Sequence, residues 1–255
     1  MTLAVASRGR GRDLVLLHGW GAGSAVWGGF ADRLAARVRL HVVDLPGYGD
    51  SDGITGEPYT LRALGAQLAA QLPPRSTVCG WSLGGQLALQ WAATAPRQVE
   101  RLVLMATTPC FVERADWPHG MRRSVFDAFE RDFERDRMKT LLRFADLQAH
   151  GDARSKAVRM LLRYAVRQQP PYPAALAAGL CMLRDSDLRA TLDAVSQSAL
   201  VMHGRCDAVV SVEAAHRLGA GLPRSRTCVV DDCAHALFLS QPEKVASLIA
   251  DFVYE

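Results

Sequence analysis

The chain has 255 residues, 49% of them hydrophobic and 22% charged, with a formal net charge of +4. That composition suits a globular protein with one substantial core and excludes a disordered or low-complexity chain. No apolar run is long enough to cross a bilayer, and Met1 to Asp13 lacks a signal-peptide core. The six cysteines show no CxxC pair or metal-ligand spacing, so a cytoplasmic protein with reduced thiols is expected.

In chain order, short β-rich apolar runs fall at Leu14–Leu17, Leu40–Val43, Thr77–Cys79, Leu102–Met105, Ala199–Met202 and Thr227–Val230. Each is almost continuously hydrophobic, the pattern of a parallel strand buried on both faces. Helical patterns separate most of them, at Ser24–Arg37, Thr60–Leu72, Leu83–Ala95 and Val212–Leu222, with a last one at Pro242–Val253. The alternation predicts an α/β fold, a mostly parallel sheet flanked by helices. One stretch breaks it: from Cys110 to about Asp187 the sequence is helical and rich in charge, without a convincing strand. We read residues 1–109 and 188–255 as the core and residues 110–187 as a helical lid inserted into it.

Gly80-Trp81-Ser82-Leu83-Gly84 has the G-x-S-x-G spacing of a nucleophilic serine. A bare match recurs by chance, but here a strand precedes it and a helical pattern follows. Glycines two before and two after leave room for a strained turn, and the helix amino terminus favours developing negative charge. A serine hydroxyl needs a base and the base needs an orienting acid. Asp207 follows the fifth run and His235 the sixth, so both fall at the carboxyl ends of parallel strands, where such sheets place their ligands. Among the other histidines, His41 starts a strand and reads as structural, His18 as a loop buttress. His119, His150 and His216 lie in helical or lid contexts, and His203 is a further alternative. Asp231 and Asp232 are too near His235 in sequence, and Asp44 sits in a structural turn, which leaves Asp207 as the acid. For the oxyanion of an acyl-transfer intermediate, the backbone N–H groups of Leu83 and, in His18-Gly19-Trp20-Gly21, of Trp20 are the candidate donors.

The order Ser82, Asp207, His235 is that of α/β-hydrolases. The runs Leu14 to Gly21, Val43 to Gly49 and Gly80 to Gly85 are shared widely among hydrolases. Through the more specific Thr108-Pro109-Cys110-Phe111, Asp116-Trp117-Pro118, and Phe144 with Leu147-Gln148, the chain also resembles, more narrowly, the carboxylesterases of biotin synthesis that demethylate pimeloyl-[acyl-carrier protein] methyl ester. The resemblance implies an α/β-hydrolase fold with Ser82, Asp207 and His235 as triad, and Trp20 and Leu83 against the ester. It also implies that Phe144, Ala145, Asp146, Leu147 and Gln148 line the acyl pocket. Beyond Gly151 the lid does not match cleanly, so contacts to a carrier are not transferred residue by residue.

Charge speaks to the carrier independently. From Arg137 to Arg167 eight basic side chains face two carboxylates, a formal +6 that leaves −2 for the rest of the chain. Arg159, Arg163 and Arg167 recur every four residues along one helical face. A solvated face is the plain alternative, and nothing resembles a nucleic-acid module. A basic rim over an ester pocket suits an acidic acyl carrier protein with a phosphopantetheine arm, with Arg143, Arg154, Arg159 and Arg163 as docking candidates. The expected protein is a monomeric serine carboxylesterase that needs neither metal nor organic cofactor. The rival readings are a small-molecule carboxylesterase, thioesterase or C–C hydrolase with the same triad, or a low-turnover ligand-binding protein on this fold.

Overall fold

The computed structural model describes residues 2–53 and 58–255. Seven strands form one sheet: β1 (Val5–Arg8), β2 (Asp13–Leu17), β3 (Arg39–Val43), β4 (Ser76–Trp81), β5 (Val99–Met105), β6 (Ser198–Gly204) and β7 (Ser225–Val230). Their order is β1-β3-β2-β4-β5-β6-β7, with β1 antiparallel to β3 and every other pairing parallel. All six strands expected from the sequence form. β1 is the added one: three of its four residues are exposed at the sheet edge, so it has no continuous apolar run to announce it.

Strand residues alternate between faces, and here both faces are covered. Val15, Leu17, Val78, Leu102, Leu104 and Val201 point into one buried cluster; Leu14, Leu16, Cys79, Val103, Met105 and Met202 point into the other. The first cluster packs under α2 (Leu61–Gln71), α3 (Leu83–Thr94) and α8 (Val212–Gly221); the second packs under α1 (Gly28–Ala35) and α10 (Pro242–Tyr254). Side chains start two of these helices where the sequence places them: Thr60 caps α2 and Ser211 caps α8.

The chain runs outward from β2 to β3, then returns to place β4 on the other side of β2. The loops after β2 and β4 therefore open side by side at a topological switch point, the usual ligand crevice of such sheets. Between β5 and β6 the chain departs into four helices, α4 (Arg123–Arg135), α5 (Arg137–Gln148), α6 (Ser155–Gln168) and α7 (Pro173–Asp185). Cys110 and Asp187 meet in an isolated β-bridge, so the two ends of this excursion lie together. A one-turn helix, α9 (Leu237–Ser240), follows β7 and precedes α10. No helix among the described residues is long and apolar enough to cross a membrane.

Candidate active site

Ser82 stands between β4 and α3 with φ 56° and ψ −118°, a conformation L residues rarely adopt. The surroundings over-determine it. Ser82 N donates to Met105 O at 2.9 Å, and Thr107 Oγ1 donates to Ser82 O at 2.7 Å. Any side chain at Gly80 would collide with the Gly84 carbonyl, and one at Gly84 with the Leu17 carbonyl, so both glycines are needed for strand and helix to close around the serine. Ser82 itself is 8% exposed, at the bottom of a covered site rather than on open surface.

Asp207 and His235 reach the same end of the sheet from β6 and β7. His235 Nδ1 and Asp207 Oδ2 are 2.8 Å apart. Asp207 Oδ1 accepts from Val209 N at 2.8 Å and Val210 N at 3.0 Å, which fixes the carboxylate in its turn. Burial by itself would raise the Asp207 carboxyl; the facing His235, with His203 and the Val210 N–H, outweighs it and holds the pKa below the ordinary carboxyl value. An ionised Asp207 makes His235 Nδ1 the donor and leaves Nε2 as the acceptor, the tautomer a general base requires. His235 Nε2, like His203 Nδ1, is buried without a hydrogen-bond partner among the described residues.

Sequence reasoning did not give roles to two neighbours. His203, weighed only as an alternative base, lies against the acid: its Nε2 is 3.2 Å from Asp207 Oδ2 and 3.0 Å from Val210 O. Burial depresses its pKa despite Asp207, and toward the Val210 carbonyl its Nε2 is the donor. Trp81 donates from Nε1 to His235 O at 3.0 Å, and its ring lies 5.5 Å from the imidazole. The only signal for either was position: the variable residue of the G-x-S-x-G turn, and a histidine four before Asp207.

The loop after β2 lies against the serine; the space a side chain at Gly19 would occupy is 3.1 Å from Ser82 Cβ. His18 braces that loop, with Nδ1 2.9 Å from Gly19 O and Nε2 accepting from Leu45 N at 3.1 Å. Leu83 is the first residue of α3, where N–H groups have no intrahelical acceptor, and Trp20 follows Gly19 on the facing loop. The Trp20 indole has a second attachment that the sequence did not reveal. Its Nε1 donates to Leu176 O of α7 at 2.8 Å, and its ring makes edge contacts with Phe129, Phe133 and Phe144. Gly179 permits the approach, since a side chain there would come within 2.6 Å of Trp20 Cδ1.

The same end of the sheet thus gathers a positive-φ serine, a hydrogen-bonded histidine–aspartate pair and the loop after β2. Residues 14–248 match the family model described as the alpha/beta hydrolase family. Pimeloyl-[acyl-carrier protein] methyl ester esterases from Nitrosomonas europaea and Aromatoleum aromaticum are each 46% identical over 247 residues, covering 96% and 94% of this chain and 97% and 98% of their own. The chain belongs to this esterase family within the alpha/beta hydrolases. An esterase from Exiguobacterium antarcticum superposes with a TM-score of 0.89 at 26% identity, over 99% of this chain and 96% of its own. By family the chain is a carboxylic-ester hydrolase.

In this esterase the five residues expected along the acyl pocket divide between helix faces. Phe144 and Leu147 line an apolar cavity of about 60 Å³ with Trp20, Phe111, Phe129 and Leu180. Ala145 and Gln148 turn to the other side of α5, toward Gly21 and Leu162. Asp146 turns toward α6 instead, 3.0 Å from Arg163 Nε. A larger groove of about 630 Å³ between α4 and α5 shares Val125, Phe129, Phe144 and Leu147 with the cavity, so those four side chains form the partition.

The four docking candidates also divide. Arg143 pairs with Asp132 at 2.9 Å, and Arg154 donates to Ser240 O at 2.9 Å. Arg163 holds Asp146, while Arg159 is exposed on α6 beside Met160 and Tyr164, which are 66% and 62% exposed.

Proposed function

We propose that this esterase hydrolyses the methyl ester of pimeloyl-[acyl-carrier protein], with Ser82 as nucleophile, His235 as general base and Asp207 as its orienting acid. His235 Nε2 takes the Ser82 proton as Oγ attacks the ester carbonyl. The Trp20 and Leu83 N–H groups hold the oxyanion of the tetrahedral intermediate. The imidazolium returns its proton to the departing methoxide, methanol leaves, and a water activated by the same imidazole cleaves the acyl-enzyme. A free ω-carboxylate remains on the carrier-bound chain, and Ser82 is restored. The observation behind the reading is the 2.8 Å Asp207–His235 pair, bonded to Trp81 next in chain to a positive-φ Ser82, in a chain 46% identical to esterases of that name.

In this reading α4 to α7 form a lid over the ester. A cavity of 60 Å³ is well below the roughly 300 Å³ at which ligand pockets begin, so admitting the acyl chain requires the Val125–Phe129–Phe144–Leu147 partition to part. The basic surface of α5 and α6 receives the acidic carrier, with Arg159 available and Arg143 and Arg163 exchanging their internal carboxylates for the carrier's. The reaction belongs to biotin synthesis and to the cytoplasm. The test is complementation of a biotin-requiring strain that lacks its own esterase. The wild-type gene is expected to restore growth and a Ser82→Ala gene is not; growth with Ser82→Ala would contradict the proposal.

A further inference from the structure

Asp152 lies in the turn between α5 and α6, yet it is buried, at 6% exposure. A buried carboxylate is costly unless donors satisfy it, and here three do. Oδ2 accepts from Ala234 N at 2.9 Å; Oδ1 accepts from Ser240 Oγ at 2.8 Å and from Arg154 N at 2.7 Å. Ala234 directly precedes His235, and Ser240 ends the short helix α9 that follows it. Three more bonds join the same two stretches: His235 N to Gln148 O at 3.2 Å, Ala153 N to Asp232 O at 3.0 Å, and Arg154 Nη1 to Ser240 O at 2.9 Å. On the sheet side the loop is held by Trp81 at the His235 carbonyl, by Cys206 N at Cys233 O, and by Asp207 at the ring.

We infer that Asp152 is a positioning residue for the reaction: from the helical segment, it fixes the backbone on both sides of His235 and so sets the reach of the imidazole toward Ser82. The inference rests on the triad reading above. Geometry of this kind tolerates little error, since a displacement of about 1 Å at a reacting group can cost on the order of 100-fold in rate. A carboxylate fits because the groups converging on it are donors. Asparagine would turn its amide N–H₂ toward either the Ala234 N–H or the Arg154 N–H, both of them donors, and the segment on that side would have to move. The same bonds tie the base to the set of α5 and α6, so whatever tilts those helices also moves the imidazole.

The experiment uses the full chain, a p-nitrophenyl ester and a fluorophosphonate, with melting curves alongside and all rates taken below the melting transition. Asp152→Asn is expected to lower kcat and the rate of fluorophosphonate labelling roughly 10- to 100-fold, with KM within about twofold. Ser240→Ala keeps the carboxylate and its Ala234 bond, so a smaller loss of kcat, several-fold, is expected, again with KM held. A purely structural role would lower Tm and leave kcat per folded molecule unchanged; that outcome overturns the inference. Should Asp152→Asn fail to fold, Ser240→Ala decides, and wild-type kcat there overturns it equally. Ser82→Ala separates the two readings. If it is inactive while both other variants turn over at the wild-type rate, only the positioning role falls; if it keeps its turnover, the triad reading and this inference fall together.

Discussion

The sheet and the four-helix segment are built from different chemistry and hold different parts of the site. The strands β2, β4, β5 and β6 are almost wholly buried and apolar on both faces, and the loops at their carboxyl ends present Ser82, Asp207 and the Gly19–Trp20 turn on a scaffold that cannot shift without opening two cores. The helices α4 to α6 bury one face each and meet one another through exposed or half-exposed ion pairs such as Arg143–Asp132 and Arg163–Asp146. Pairs of that kind contribute little, about 0–1 kcal/mol each, and can be traded for an outside partner. Under the proposed function, rigidity belongs where charge develops, and adaptability where the acyl chain and its carrier would enter. Among the side chains that join the regions are Trp20, reaching from the sheet into α7, and Asp152, reaching from the helices to the His235 loop.

If this division holds, changes in the sheet loops should harm every ester alike, whereas changes in the helices should separate carrier-bound from small esters. The largest effect is expected at Asp207→Asn, which leaves His235 in the wrong tautomer; kcat should fall about 10⁴-fold for both a p-nitrophenyl ester and the carrier-bound methyl ester, measured by steady-state kinetics. Phe144→Ala should instead discriminate. It removes a wall of the apolar cavity, worth about 1.5 kcal/mol of apolar contact, so kcat/KM for the carrier-bound ester should drop roughly tenfold while the small ester changes far less. An equal loss on both substrates would place Phe144 with the catalytic loops. Reversing Arg159 and Arg163 to Glu should raise KM for the carrier-bound ester several-fold, more strongly at low ionic strength, with small-ester kinetics unaltered. An unchanged KM would make the basic face a solvated surface.

The smallest effect concerns pH. Asp207 titrates below its ordinary value of 3.8 in the folded protein, so the stability it contributes is complete above that value and is lost as pH falls through the folded pKa. Wild-type Tm should therefore decline below about pH 4 more steeply than that of Asp207→Asn, read by thermal melting in a series of acid buffers. Parallel curves would mean that the carboxylate is no better held in the native state than in the unfolded chain.

The same contrast explains what could be read from the sequence. Parallel strands buried on both faces leave continuous apolar runs, and a nucleophile turn needs glycines at fixed offsets, so β2 to β7 and Ser82 were legible. Asp207 and His235 followed because strand ends are legible once strands are. β1 escaped because an exposed edge strand of four residues needs no apolar run. Helix facing was harder: Phe144 to Gln148 is one continuous stretch in sequence, yet a turn of 3.6 residues sends Phe144 and Leu147 to the cavity and Asp146 to Arg163. Asp152 and His203 were hidden for another reason. Their meaning lies in contacts across 82 residues and around a turn, and a lone aspartate between two helices reads as a solvated loop until the Ala234 N–H is found beneath it.

In the proposed reaction Ser82 carries the acyl group of a carrier-bound methyl ester. The most direct measurement is mass spectrometry of pimeloyl methyl ester loaded on an acyl carrier protein, incubated with the wild-type enzyme and with Ser82→Ala. The wild type is expected to convert the carrier to the mass of the free acid, with a transient acyl adduct on the enzyme, and Ser82→Ala to leave the ester intact. Conversion by Ser82→Ala at the wild-type rate, or an intact carrier ester after incubation with a wild type that hydrolyses small esters, would contradict it.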